Sequence, residues 1–148
     1  MAINRALFMS NKDDWETPRE LFESLDAEFH FTLDAASSDA NALCEKHFTI
    51  EDDGLKQSWQ GETVWCNPPY GRQIRKWIQK ADDEAKNGTT TVMLIPARTD
   101  TKWFRDFVYG KYEIRFIRGR LYYCVGGVPY KWNAAFPSML VIFKKTTD

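Results

Sequence analysis

Residues 90–96, with the sequence TTVMLIP, form the run that most constrains how this chain can fold. A strand with apolar side chains at successive positions, rather than at every second one, is typical of a sheet covered on both faces. The preceding segment carries apolar residues on one helical face: Ile74, Trp77, Ile78, Ala81 and Ala85. A second short apolar strand, residues 63–66, comes before it. The order of strand, helix and strand predicts a three-layer α/β domain.

The remaining pattern predicts further short elements around this unit. Thr17 suits a helix N-cap, with Pro18 at the first helical position and Glu20 closing a capping box. The helix that follows leads into a strand ending at Asp34. Further predicted elements are a short helix at 37–46, a short strand at 48–50, a helix at 102–108 and strands at 113–117, 121–125 and 139–144. Because the C-terminal part is rich in strands, the sheet is expected to finish antiparallel.

Length and composition set the general class of protein. The 148 residues predict one domain over 1–148, with 1–14 as a loose polar arm, and 43% hydrophobic content is ample for a packed core. No apolar stretch approaches the roughly 18 residues of a membrane span, so no membrane role is expected. Three scattered cysteines favour a reduced, cytoplasmic protein. Two histidines provide no familiar zinc spacing, and no metal is expected.

The charge is distributed unevenly along the chain, although the formal net charge is only -1. Residues 1–66 hold 5 Lys/Arg and 14 Asp/Glu, a net charge of -9, whereas residues 67–148 hold 15 and 7, a net charge of +8. This asymmetry indicates two ligands, with a cationic cofactor on the acidic half and phosphates on the basic half. The alternative is a globule whose charges compensate one another internally.

Asn67-Pro68-Pro69-Tyr70 follows the strand at 63–66 and is the motif richest in chemistry. An aryl amino group is a poor nucleophile because its lone pair is delocalised into the ring. The Asn67 side-chain oxygen and the Pro68 carbonyl can each accept a hydrogen bond from such an amino group, and Tyr70 can stack on the ring that carries it. The prolines stiffen the loop, so that little reorganisation is needed. The motif therefore predicts methylation of an amino nitrogen; the alternative is a plain Pro-Pro turn after a strand.

Several longer stretches resemble the small phage- and prophage-encoded DNA N6-adenine methyltransferases of the Dam type. The matching stretches run in order along nearly the whole chain: 15–18, 29–37 (FHFTLDAAS), 41–44, 48–55 (FTIEDDGL), 64–71 (VWCNPPYG), 96–104 (PARTDTKWF) and 114–121 (IRFIRGRL). The resemblance implies S-adenosylmethionine as methyl donor, adenine in double-stranded DNA as acceptor, and a Rossmann-like methyltransferase fold. It also implies action in the cytoplasm of a bacterial host, if the protein is phage-encoded.

The resemblance also implies which residues form the cofactor site. Glu16-Thr17-Pro18 is similar to a motif that touches the methionine end of the cofactor, and Asp34 is placed to accept from its ammonium group. Asp52 and Asp53 are candidates for the ribose hydroxyls or the adenine amino group, with a solvated acidic turn as the alternative. The full set of candidate cofactor-binding residues is Trp15, Thr17, Pro18, Asp34, Ala36, Asp52, Asp53 and Asn67.

The chain departs from the general methyltransferase pattern in two respects. Ala35-Ala36-Ser37 stands where a glycine loop is expected, and only about 30 residues separate Asp34 from Asn67. That interval is too short for two intervening βα units, so the cofactor region is expected to be abbreviated.

DNA contacts are expected from the basic half of the chain. The candidates are Arg72, Arg75, Arg98, Lys102, Arg118 and Arg120. The segment 117–132 is interpreted as a β-hairpin or loop that could enter a groove. A homodimer that spreads the DNA contact over two subunits is one arrangement compatible with so small a chain.

Two other classes of function compete with adenine methylation of DNA. The same motif suits methylation of cytosine N4, RNA adenine or a protein glutamine, because each presents an NH2 on a flat group. The other class is a non-catalytic nucleic-acid-binding protein that keeps the fold. Cofactor binding distinguishes this last class from the enzymes.

Overall fold

The computed structural model of the chain describes residues 15–146. The predicted loose arm, 1–14, lies outside the described residues. In chain order the elements are α1 (Arg19–Phe29), β1 (Leu33–Asp34), β2 (Thr63–Cys66), α2 (Ile74–Lys86), β3 (Thr90–Pro96), a π-helical turn (Phe104–Val108), β4 (Glu113–Phe116), β5 (Cys124–Val125), β6 (Val128–Pro129) and β7 (Ser138–Phe143).

Five of the strands form one mixed sheet in the order β1-β2-β3-β7-β4. The strands β1, β2 and β3 are parallel, whereas β7 is antiparallel to both of its neighbours, β3 and β4. The antiparallel finish of the sheet is therefore confirmed. β5 and β6 form a separate two-stranded hairpin. Since β4 runs in the same direction as β3, the carboxyl ends of β1, β2, β3 and β4 all lie at one edge of the sheet.

The core is built on β3 and β7, as the apolar run at 90–96 predicts. The β3 residues from Thr91 to Pro96 are buried, and so is every residue of β7. Helix α2 packs on these strands, and the five residues predicted to share its apolar face are all buried. On α1, Phe22 lies edge-on to Trp65 of β2, with ring centroids 5.6 Å apart. Trp103 and Phe104 are also buried.

Two predicted elements between β1 and β2 are wrong. Residues 37–46 form turns and bends rather than a helix, and 48–50 form no strand. A short bridge takes the place of that strand, because His47 pairs with Asp34 in parallel. The Asp34 amide donates to the Lys46 carbonyl, and the Phe48 amide donates to the Asp34 carbonyl. Residues 46–48 thus lie beside β1 and extend the parallel part of the sheet by one short segment.

The predicted cap of α1 is also wrong. The N-cap is Pro18, which makes no side-chain cap bond, and the helix begins at Arg19. Thr17 uses its hydroxyl elsewhere, as described below. The predicted strand at 121–125 is reduced to Cys124–Val125. Within 15–146, no helix combines the length and the apolar character needed to cross a membrane.

Candidate active site

The Asn67–Tyr70 motif leaves β2 at the carboxyl edge of the sheet. The same edge receives the chain after β1, at Ala35, and after β3, at Ala97. Ligands of open α/β sheets bind in the crevice outside the carboxyl ends of the strands. The motif therefore lies where a ligand site is expected from the topology.

The Asn67 side-chain amide is oriented by two segments far away in sequence. Its Nδ2 donates to the Trp15 carbonyl oxygen at 2.5 Å and to the Thr17 Oγ at 3.0 Å. Because a carbonyl oxygen can only accept, the nitrogen must face Trp15 and the amide cannot be turned over. The Asn67 Oδ1 consequently points away from both partners. It is buried and has no hydrogen-bond partner.

An unsatisfied buried acceptor is uncommon and costs roughly 1–3 kcal/mol. Functional sites are where such a cost is retained, since a ligand donor can satisfy the atom. The Asn67 Oδ1 is therefore the described atom best suited to accept a hydrogen from a bound amino group. The adjoining Pro68 is buried, and the role of its carbonyl stays a prediction.

Thr17 and Trp15 hydrogen-bond the Asn67 side-chain amide, and neither caps the start of α1. The Thr17 Oγ accepts from the Trp65 Nε1 at 3.3 Å as well as from Asn67. Trp15 is buried between the rings of Tyr123 and Tyr130, at centroid distances of 6.1 and 6.0 Å. Both residues were predicted to bind the cofactor, as was Pro18, and that role stays a prediction.

The Tyr70 side chain lies in the core and is only 6% exposed. Its hydroxyl donates to the Leu94 carbonyl at 3.1 Å and shares a hydrogen bond of 3.1 Å with the Tyr123 hydroxyl. Tyr123 in turn bonds to the Ser138 Oγ at 2.9 Å. The Tyr70 ring packs edge-on against the rings of Tyr123 and Phe136. Burial raises the pKa of Tyr70 well above its ordinary value, so the hydroxyl stays protonated. Base stacking by Tyr70 stays a prediction, and it has to be reconciled with this closely packed ring.

Asp34 is 2% exposed, and backbone amides surround its carboxylate. The Leu43 amide donates to Oδ2 at 3.0 Å, and the Ala36 amide lies 3.4 Å from Oδ1. Desolvation by burial raises the pKa of Asp34 to about 6, against the lowering effect of these bonds. Asp34 thus fixes the loop after β1 in this conformation. Its bond to a cofactor ammonium group and the role of Ala36 in cofactor binding stay predictions.

Asp52 and Asp53 lie in a turn that packs against the end of β1. A Cβ atom on Gly54 would lie 2.3 Å from the Ala35 carbonyl oxygen, so only glycine allows this approach. Asp52 is exposed, and its Oδ2 accepts from the Thr49 amide at 2.8 Å. Asp53 has a φ of 56°. These contacts are those of a self-contained acidic turn, but the turn lies at the same sheet edge as Asn67.

The six candidate DNA contacts all lie on segments that leave the carboxyl edge. Arg98 and Lys102 follow β3, Arg118 and Arg120 follow β4, and Arg72 and Arg75 flank the start of α2; all six are exposed. Arg75 lies 3.6 Å from the Asp106 carboxylate and over the ring of Phe107. The topology thus gathers these charges at one edge, while their contact with DNA stays a prediction.

Arg115, in the same basic part of the sequence, has a different role. Its guanidinium binds Glu28 through two nitrogens at 2.8 Å each and also contacts Glu113. It ties β4 to α1.

The sequence analysis did not predict the contacts of Tyr123 and Glu16. Tyr123 lies within the segment interpreted as groove-entering, yet it is completely buried and bonded to Tyr70. Glu16 contacts the hairpin through its carboxylate. Both contacts join residues more than 50 positions apart, and no local pattern signals them. Among residues 15–146, no group of three or more His, Cys, Asp and Glu side chains could hold a metal ion.

Comparison with known proteins assigns the family. The family model described as DNA N-6-adenine-methyltransferase (Dam) matches residues 5–148. A DNA N-6-adenine-methyltransferase of Escherichia phage T1 is 35% identical over 121 residues, covering 80% of this chain and 50% of that protein. One of Haemophilus phage HP1 is 32% identical over 110 residues, covering 73% of this chain and 64% of that protein. The chain belongs to the Dam family of DNA N-6-adenine-methyltransferases, and the matches span about half to two thirds of these curated relatives.

Proposed function

We propose that this protein transfers a methyl group from S-adenosylmethionine to the N6 amino group of adenine in double-stranded DNA. The observation that carries the proposal is the buried, unpartnered Asn67 Oδ1, set by Trp15 and Thr17 at the carboxyl edge of the sheet. Family membership and the names of the two phage relatives support the choice of adenine in DNA. A three-layer, Rossmann-like arrangement and action inside a bacterial host belong to the same proposal.

The proposed mechanism places an extruded adenine against Asn67. Rotating a base out of the duplex costs a few kcal/mol, and the pocket must recover that cost by hydrogen bonding and contact with the base. The Asn67 Oδ1 accepts one N6 hydrogen and the Pro68 carbonyl accepts the other. The N6 lone pair would then be less delocalised into the ring and available to a methyl donor. As the N–C bond formed, the donor's C–S bond would break, and the nitrogen would release one proton to water. Because the Asn67 amide is already oriented, little reorganisation is needed as positive charge develops on nitrogen.

The residues at the sheet edge fit a cationic cofactor with hydroxyl groups. S-adenosylmethionine supplies a methyl carbon made electrophilic by its sulfonium. Asp52 is exposed in a turn that Gly54 brings against Ala35, and its carboxylate can accept from hydroxyl groups. Asp34 fits less well as an ammonium partner, because it is buried and both of its carboxylate oxygens already accept from backbone amides. We therefore assign Asp34 to shaping the loop and Asp52 to the cofactor.

The test is transfer of labelled methyl from S-adenosylmethionine to unmethylated duplex DNA, followed by nucleoside analysis. Label in N6-methyladenine is the expected result. Label in N4-methylcytosine, or in RNA or protein alone, would contradict the proposed substrate. If the cofactor neither binds nor transfers a methyl group, the protein is a non-catalytic nucleic-acid binder instead. Comparing methyl transfer to a duplex and to single-stranded DNA of the same sequence tests whether the substrate must be double-stranded.

A further inference from the structure

Glu16 lies between Trp15 and Thr17, which orient Asn67, and it also contacts the β5–β6 hairpin. Its backbone forms an antiparallel bridge with Cys124, in which the Glu16 amide donates to the Cys124 carbonyl at 3.2 Å and the reverse bond measures 2.9 Å. Trp15 and Thr17, the two partners of the Asn67 amide, are its immediate neighbours. Hairpin and Asn67 are therefore connected through three consecutive residues.

The Glu16 carboxylate also binds the tip of the hairpin. Its Oε2 accepts from the Gly126 amide at 3.1 Å, and its Oε1 accepts from the Gly127 amide at 2.9 Å. Both glycines have positive φ, 62° and 83°, a conformation in which successive amides can converge on one anion. Charge-assisted bonds of this kind are stronger than neutral ones. One carboxylate thus fixes the turn relative to residues 15–17.

The hairpin carries a surface suited to nucleic acid. Val128, near its tip, is 62% exposed, and Tyr122 just before β5 is 53% exposed. The exposed basic residues Arg118 and Arg120 precede the hairpin, and Lys131 follows it. An apolar tip with cations on either side fits a base step flanked by phosphates. A displacement of the hairpin by bound DNA would be transmitted through Glu16 to residues 15–17.

We propose that Glu16 is a positioning residue, which clamps the β5–β6 hairpin to residues 15–17 and so sets the orientation of the Asn67 amide when DNA is bound. The inference rests on the proposed function. It differs from a cofactor contact by Glu16, because the described contacts of the carboxylate go to the hairpin. It also differs from a role in stability alone, because its effect falls on the methyl-transfer step.

The test compares Glu16→Ala and Glu16→Gln with wild type, using Glu20→Ala as the matched control. Glu20 is an exposed acid in the first turn of α1. The measurements are the single-turnover rate of methyl transfer at saturating duplex DNA, the Kd of S-adenosylmethionine by calorimetry, and the urea midpoint of unfolding. We expect Glu16→Ala to lower the rate about ten- to a hundredfold, as misplacement of a reacting group does, with cofactor Kd unchanged. Glu16→Gln keeps one acceptor and the side-chain shape, so its rate should fall between the two.

Three results would overturn the inference. A weaker cofactor Kd with an unchanged saturating rate would make Glu16 a cofactor ligand. A rate that equals that of wild type would remove the positioning role, even if the urea midpoint falls. An equal loss in Glu20→Ala would show a general effect of lost acidity. If wild type itself transfers no methyl to adenine, the proposed function fails first, which separates the two failures.

Discussion

Asn67 and Asp52 both lie beyond the carboxyl edge of the sheet, but their side chains are held in different ways. The Asn67 amide bonds to residues 52 and 50 positions away in the chain. The Asp52 carboxylate bonds to Thr49, three positions away. An exposed carboxylate that closes its own turn can be replaced at little cost, whereas an amide set by distant segments depends on the fold around it. A residue held by long-range contacts, with one atom left unsatisfied, is therefore the stronger candidate for catalysis.

The largest effect is expected for Asn67→Ala. Loss of one preorganised group that stabilises developing charge typically lowers kcat about a hundred- to a thousandfold. The single-turnover rate of methyl transfer measures this loss, and Asn87→Ala at the exposed end of α2 is the matched control. An Asn67→Ala protein with a rate near that of wild type would refute the mechanism.

Asn67→Asp sharpens the same comparison. The carboxylate keeps an acceptor for the amino group but cannot donate to the Trp15 carbonyl. We expect a rate between those of wild type and Asn67→Ala, because the acceptor is present but no longer oriented by Trp15.

Asp34 is buried, whereas Asp52 is exposed, so Asp34 should affect how the stability of the protein depends on pH. Its pKa is raised from 3.8 to about 6 by burial, so between these values the folded protein binds the proton more tightly than the unfolded chain. The free energy of unfolding should therefore fall as pH rises from 4 to 6, by up to about 3 kcal/mol from this group. Urea unfolding of wild type and Asp34→Asn across this range measures the difference. Identical pH profiles for the two proteins would contradict the assignment.

Tyr70→Phe separates two roles of Tyr70: hydrogen bonding by its hydroxyl in the core and stacking of its ring on adenine. The substitution keeps the ring and removes the hydrogen bonds of the Tyr70 hydroxyl to the Leu94 carbonyl and to Tyr123, which keeps its bond to Ser138. Loss of these buried bonds should cost about 1–3 kcal/mol in unfolding free energy. If the ring stacks on adenine, methyl transfer at a temperature where the variant is folded stays close to wild type. Tyr122→Phe, at an exposed position, is the control and should leave the urea midpoint unchanged.

The smallest effect on stability is expected for Asp52→Ala, within about 0.5 kcal/mol. Its effect on the Kd of S-adenosylmethionine tests the proposed ribose contact. Loss of a hydrogen bond to a charged group predicts a rise in Kd of about tenfold or more. An unchanged Kd would leave Asp52 as a turn residue alone and would remove it from the cofactor site.

The sequence allowed prediction of the elements whose pattern is local. The strands at 63–66 and 90–96 and the buried face of α2 are as predicted, because periodicity and apolar runs determine them. The region between β1 and β2 was mispredicted, since residues 46–48 are ordered by backbone pairing with β1 and not by their own propensity. Thr17 was read as a cap because capping needs only neighbours, whereas its actual partners, Trp65 and Asn67, are 48 and 50 residues away.

The site was predictable in its chemistry but not in its packing. Asn67 could be chosen because an amide oxygen beside two prolines suits an amino substrate. The burial of Tyr70 and Tyr123 could not be foreseen, because alternation of tyrosine with glycine and arginine is equally typical of an exposed loop. Their shared hydrogen bond forms only when β3 and β7 bring Leu94 and Ser138 together.

The position of β7 has a consequence for how the chain folds during synthesis. β7 comes last in sequence among the described strands, yet it lies between β3 and β4 and pairs with β3 over six residues. Until the ribosome has released it, β3 has an open edge of apolar residues and β4 has no neighbour. Such an edge can pair with another chain, so slow translation or a break before Ser138 should favour aggregation over a partly active product. Pulse-labelled nascent chains of increasing length, probed by protease, should therefore become resistant in a single step once β7 is free.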